Sequence, residues 1–172
     1  MKFLVLSDNH GLWNVVHNLL QHFGPQVDYV FHCGDSEFTS DDPIWEQVSC
    51  VVAGNMDFDP QYVPQQIVET PVGKVFVAHG HRHQINQSND TLYQVAKDSD
   101  CRFVFHGHTH VLYAEYREGI LLMNPGSINH SRGNHHGTTF AIVTVDDAQI
   151  NVEYYDSLTY ECLPELSRSF SR

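Results

Sequence analysis

Positive charge is scarce in this chain of 172 residues: nine Lys and Arg stand against 21 Asp and Glu, for a formal charge of −12. Nucleic acid is held chiefly through basic groups on its phosphates. With no basic stripe and no aromatic platform, neither duplex nor single-stranded nucleic acid is an expected partner. Cysteine is scarce as well. Cys33, Cys50, Cys101 and Cys162 lie far apart and form no CxxC pair, which excludes a thiolate zinc motif and a disulfide scaffold. The apolar run from Met1 to Leu6 stops before Asp8 without a cleavage-like stretch, and no later run approaches the length that spans a bilayer. Reduced thiols, a cytoplasmic location and no membrane partner are the expectations. Internal repeats, low-complexity tracts and linkers are missing too, so residues 1–172 are read as one domain.

What the chain does hold is apolar material for a core, 41% hydrophobic and 12% aromatic, and an excess of histidine. The 13 His outnumber all Lys and Arg together. An acidic, imidazole-rich chain is suited to bound cations.

Lys2 to Ser7 reads as a buried strand, followed by Leu12, Val15, Val16, Leu19, Leu20 and Phe23 at the spacing of one apolar helix face, stopped by Gly24-Pro25. Val27 to Cys33 and Val48 to Ala53 read as strands, with a short helix opened by Asp42-Pro43 between them. This alternation predicts a parallel core. Gln65 to Thr70 and Lys74 to Ala78 flank the turn Pro71-Val72-Gly73, and Ser88 or Asn89 caps a helix through Leu92, Val95 and Ala96 that leads into a strand at Arg102 to Phe105. Two further hairpins are expected, Val111–Arg117 with Ile120–Met123 and Thr139–Val145 with Gln149–Tyr155. The order fits an α/β protein of two mixed sheets packed face to face with helices outside.

Five polar clusters follow predicted strands directly: Asp8-Asn9-His10, Gly34-Asp35, Gly54-Asn55-Met56-Asp57, His79-Gly80-His81 and Gly107-His108-Thr109-His110. Carboxyl ends of parallel strands share one edge, where ligands bind. One Asp or His at a strand end is ordinarily a turn or cap residue, but five in register are hard to explain that way. Asp, His and Asn offer oxygen and nitrogen ligands suited to Mn²⁺, Fe, Co, Ni or Zn²⁺. Asp8 and His10, like His108 and His110, are two apart, so on an extended segment both side chains would point the same way. One ion would leave ligands over, whereas two ions about 3.5–4 Å apart, bridged by a carboxylate, would use them all.

The ordered set DxH (Asp8, His10), GD (Asp35), GN (Asn55), a lone His (His79) and GHxH (His108, His110) resembles the calcineurin-like metallophosphoesterases, in particular their small bacterial and archaeal phosphodiesterase branch. Asn124-Pro125-Gly126-Ser127 is similar to a motif of that branch, so nearly the whole chain is covered. The resemblance implies a four-layer αββα sandwich and a dinuclear site. Asp8, His10, Asp35 and His110 would hold one ion, and Asp35 as bridge with Asn55, His79 and His108 the other. Two divalent metal ions, Mn²⁺ in first place, would bring four positive charges against about three on Asp8, Asp35 and a bridging hydroxide. That site attracts a small phosphorylated substrate. A metal-bound hydroxide would attack phosphorus in line.

Where many members of the wider family carry His after GN, this chain has Met56, whose thioether donates no proton. Good leaving groups, or diesters protonated by another group, are expected. His81 and water are the candidates for that acid, with Asn55 beside the reaction, and His81 equally fits a role orienting a ligand. Asp57 is read either as a site residue or as a loop residue. Asn9 and His32 are read as supporting groups, Asn124 to Ser127 as a turn, and Arg132 as a solvated cation that could meet a phosphate. Pocket walls are expected from Phe58 to Pro64 and Asn129 to His136. The rival reading is a scaffold for protein binding, like the retromer subunit similar in fold. Seven positions with metal-binding chemistry weigh against it, since a pure scaffold does not need them. Apolar edge strands in the C-terminal hairpins leave room for a homodimer.

Overall fold

The first strand, β1 (Lys2–Leu6), is exposed at Lys2 and buried at the next four residues, as a strand covered on both faces must be. The computed structural model describes residues 1–172. After β1 come α1 (Trp13–Phe23), β2 (Tyr29–His32), β3 (Cys50–Val51), β4 (Gln65–Val68) and β5 (Lys74–Ala78), then α2 (Asp90–Asp98), β6 (Cys101–Phe105), β7 (Tyr113–Arg117) and β8 (Ile120–Asn124). The chain finishes with β9 (Thr139–Val145), β10 (Gln149–Asp156) and β11 (Arg168–Ser171).

Two mixed sheets result, one in the order β11-β10-β9-β1-β2-β3 and the other β4-β5-β6-β8-β7. Strands β1, β2 and β3 run parallel, as do β5, β6 and β8, while hairpin strands complete both sheets in antiparallel fashion. Alternation along β1 sends Phe3 and Val5 into the core between the sheets, and Leu4 and Leu6 outward under α1. Helix α1 covers that outer face with Val16, Leu19, Leu20 and Phe23, and α2 covers the second sheet with Leu92, Tyr93 and Ala96. Helix, sheet, sheet, helix is the four-layer αββα sandwich expected from the sequence. No helix is long and apolar enough to cross a membrane.

Three details differ from the periodicity reading. Strand β3 is two residues long because Ala53 N donates to Val63 O (2.8 Å), which takes the chain away from β2. Leu12 sits at the N-cap of α1, exposed, instead of on its buried face. The edge strand β11, RSFS, carries no periodic signal, because it offers one large apolar side chain and otherwise polar residues.

At the centre, the Phe3 ring meets Phe31 and Phe103 at 5.6 Å and Phe105 at 6.0 Å, all edge-on. Phe3→Ala is expected to lower stability by about 3–5 kcal/mol in chemical denaturation while the fold persists. A loss below 1 kcal/mol would mean that this aromatic cluster does not hold the sheets together.

Candidate metal centre

The parallel strands end on a common side, and the facing sheets bring their C-terminal loops together. Asp8 and His10 follow β1, Asp35 follows β2, Asn55 lies beyond β3, His79 follows β5, and His108 and His110 follow β6. His79 Nε2 lies 3.3 Å from Asp35 Oδ2 and 3.8 Å from Asp8 Oδ1. His110 Nε2 is 3.1 Å from Asp8 Oδ1 and 3.3 Å from His10 Nε2, which in turn is 3.9 Å from Asp35 Oδ2. Two groups thus have the spacing of a cation site, Asp8–His10–His110 and Asp8–Asp35–His79. Each carboxylate faces imidazoles of both groups. His108 and Asn55 line the cavity of about 270 Å³ above them, with Met56, His130 and Arg132 also in its walls. His81 is not in those walls: its ring packs 5.5 Å from that of His79 and 6.1 Å from that of His108.

The orientation of the imidazoles says what this cluster is built to hold. His79 donates from Nδ1 to Cys33 O (2.8 Å), and His110 donates from Nδ1 to His130 O (3.0 Å). Nδ1 of His10 is taken by Glu37 Oε1 at 2.8 Å. With its Nδ1 hydrogen spent outward, each ring turns an Nε2 lone pair towards carboxylate oxygens or another lone pair. That arrangement is repulsive unless positive charge lies between. Asp8 Oδ1 and His79 Nε2 are buried with no hydrogen-bond partner, a costly state for polar atoms that a cation relieves. The donor set of carboxylate oxygen and imidazole nitrogen, with no thiolate, fits a divalent first-row metal.

Extended geometry, the expectation for the His and Asp pairs, is not how they converge. Asp8, His10, Asp35, His108 and His110 all have positive φ, between 43° and 69°. Each left-handed residue turns the chain back on itself, at a cost of order 1 kcal/mol, and such strain gathers where function requires it. Glycines provide the close approach. A Cβ on Gly54 would lie 2.0 Å from Asp35 Oδ1, and one on Gly107 2.6 Å from Asp8 Oδ2.

A second layer holds this geometry. Asp57 accepts from Asp35 N, Gly54 N and Glu37 N (each 2.8 Å) and from Ser36 Oγ (3.0 Å), so it ties the loop after β2 to the loop after β3. Met56 N donates to Asp35 Oδ1 at 2.7 Å, a backbone role that its thioether does not reveal. His32 bonds Asn9 Oδ1 (2.8 Å), and Asn9 Nδ2 donates to Ser36 O (3.1 Å), which places both among the supporting groups as expected. The Asn124–Ser127 segment does more than turn: Asn124 Nδ2 donates to Gly107 O and Ser127 Oγ to Asp8 O, both at 2.9 Å. Glu37 and Asn86, which is 3.4 Å from His108 Nε2, had no sequence signal of their own, being loop residues outside any periodic pattern, whereas His130 and Arg132 belong to the Asn129–His136 stretch expected to wall the pocket.

Burial opposes every charge here, and the neighbours decide the outcome. Burial raises the Asp35 carboxyl, but the His79 imidazole and the Met56 amide hold it down to about 2. Asp8 is likewise pushed up by burial and held below its ordinary value by His110 and His79. Burial lowers His79, but Asp35 and Asp8 outweigh it and raise the imidazole. For His81, His32 and His106 burial outweighs the pull of the nearby carboxylates and takes each of them down to about 4.

Residues 1–148 match the model of the calcineurin-like phosphoesterase superfamily domain, and the chain belongs to that family. It is 33% identical over 156 residues to the probable metallophosphoesterase YsnB of Bacillus subtilis strain 168, with 91% of each chain covered. A conserved predicted phosphoesterase from Streptococcus pneumoniae TIGR4 superposes with a TM-score of 0.95 at 36% identity, over 99% of this chain and 97% of that one. Vacuolar Protein Sorting 29 from Cryptosporidium parvum, at 17% identity and a TM-score of 0.75 over 99% and 98% of the two chains, shares the fold.

Two outcomes are expected in metal-free protein. Asp57→Asn turns an NH₂ group towards some of its four donors and lowers stability by about 1–3 kcal/mol, where an exposed loop carboxylate would cost less than about 0.5. His32 and His106 titrate near 4 when folded and near 6.5 when unfolded, so the unfolded chain binds more protons between those values. Stability is therefore lost as pH falls through that window. His106→Gln flattens the slope of the urea midpoint against pH, and an unchanged slope would contradict the assignment.

Proposed function

We propose that this chain is a dinuclear metal-dependent phosphodiesterase that also cleaves activated aryl phosphates. One observation carries the reading: three Nε2 atoms, with their Nδ1 sides tied outward, converge on two buried carboxylates. Asp8, His10, Asp35 and His110 would hold one ion, and Asp35, Asn55, His79 and His108 the other. When bound, such ions neutralise developing charge on phosphoryl oxygens and acidify water.

The residues around that pair favour a diester. Arg132 is the one Lys or Arg in the cavity wall, placed to donate to a phosphoryl oxygen, whereas a monoester dianion would call for more positive charge beside Glu37. An opening of about 270 Å³ leaves room for two ester substituents. Met56 lines the cavity with a thioether that has no proton to give, so the leaving group must depart with little help. His81, behind His79 and His108 and neutral at pH 7, serves better to orient those rings than to donate a proton. A scaffold has no comparable use for two buried carboxylates turned towards imidazole lone pairs.

With bis(4-nitrophenyl) phosphate and Mn²⁺, Asp35→Ala and His79→Ala are each expected to lower kcat/KM on the order of 10³-fold, and a chelator should silence the wild type. Full rates in either variant would remove this site from the reaction. Across aryl diesters, kcat/KM should fall steeply as the leaving phenol becomes less acidic, and a flat dependence would require an internal acid.

A further inference from the structure

Beside the cavity over the carboxylates lies a second one of about 330 Å³, and Met56 is in the walls of both. The second cavity is walled by Phe38, Met56 and Phe58 with Thr39 and the carboxylates of Glu37 and Asp59. Phe58 is 84% exposed, so its ring contributes little to the core, and Met56 is 39% exposed. Yet the backbone that carries Phe58 is pinned on both sides. Asp57 accepts four hydrogen bonds, and Asp59 accepts from Ser40 N (2.8 Å) and Gln61 N (2.9 Å). An apolar ring presented to solvent from a fastened loop, at the lip of a polar reaction site, is preorganised for contact. Met56 sets its distance from the reacting centre, because its own N–H is bonded to Asp35 Oδ1.

Charge narrows the occupant. Glu37 is tied to His10, and Asp59, kept ionised by the amides of Ser40 and Gln61, adds a second negative group. No Lys or Arg lines this second cavity. A further phosphate or carboxylate would be repelled there, whereas a flat neutral ring covers apolar surface and stacks on Phe58.

Resting on the phosphodiesterase reading above, we propose that Met56 and Phe58 form a specificity subsite that receives an uncharged aromatic ring carried on the phosphate ester. The substrate class is thus a diester bearing an aryl or nucleobase-like ring with no second phosphate beyond it.

Calorimetric titration of the Mn²⁺-loaded protein with the monomethyl esters of methylphosphonate, phenylphosphonate and 4-carboxyphenylphosphonate, whose phosphonate head is a monoanion like that of a diester, tests this. Phenylphosphonate should bind about 10-fold tighter than methylphosphonate, from the added apolar contact, and the carboxylated ring should lose that gain. In Phe58→Ala the phenyl-to-methyl ratio should drop to about twofold, and Phe58→Trp should restore it. An unaltered denaturation midpoint, expected for so exposed a side chain, confirms that the change is local. A wild-type ratio near one, or one that Phe58→Ala leaves unchanged, overturns the subsite. If bis(4-nitrophenyl) phosphate is still hydrolysed in that event, the subsite alone fails. If neither turnover nor phosphonate binding is seen, the parent reading fails with it.

Discussion

Two carboxylates buried in a protein interior and faced by imidazole lone pairs must have positive charge between them, and the rest of this structure is arranged around that requirement. Asp8 and Asp35 are withdrawn from water at the seam between two sheets. The surrounding rings cannot turn their N–H groups inward, because Cys33 O, His130 O and Glu37 already engage the Nδ1 sides. A proton on His79 Nε2 relieves the repulsion there in part, as its raised imidazole indicates. Divalent ions would relieve it fully and would place electrophilic charge where a phosphate can reach it.

The fold explains how residues from five stretches of chain gather, five of them in two cation-spaced groups and Asn55 and His108 in the cavity wall above. Parallel strands in both sheets deliver their following loops to one side, and the aromatic core between the sheets holds those loops at working distance. Left-handed residues and the bare Cα atoms of Gly54 and Gly107 bring the backbone close. Asp57 and Asn124 then lock one loop to another. Strain at the site is offset by cohesion elsewhere, a division of labour common in functional centres.

Strand and helix order was legible in the sequence because apolar periodicity reports which face of an element is buried. The positions of Asp8, Asp35, His79 and His110 were legible for a related reason, since a polar cluster directly after a buried strand marks the shared edge of a sheet. Local conformation was not legible. The x between Asp8 and His10 suggested an extended pair, but φ of 54° and 43° shows a tight turn, which depends on contacts with Gly34 O and Asp35 O across the sheet. Glu37 and Asn86 escaped for the same reason: their partners lie 27 and 22 residues away, beyond anything periodicity encodes. Met56 taught the opposite lesson, since its side chain signalled a missing proton donor while its backbone N–H, invisible in sequence, anchors Asp35.

The most direct test of the central claim is anomalous X-ray scattering from crystals of the Mn²⁺-soaked protein. Two adjacent peaks about 3.5–4 Å apart are expected, with Asp35 between them and Nε2 atoms of His10, His79 and His110 pointing at them. A map with no peak among these side chains, or with ordered water alone satisfying Asp8 and Asp35, would contradict it.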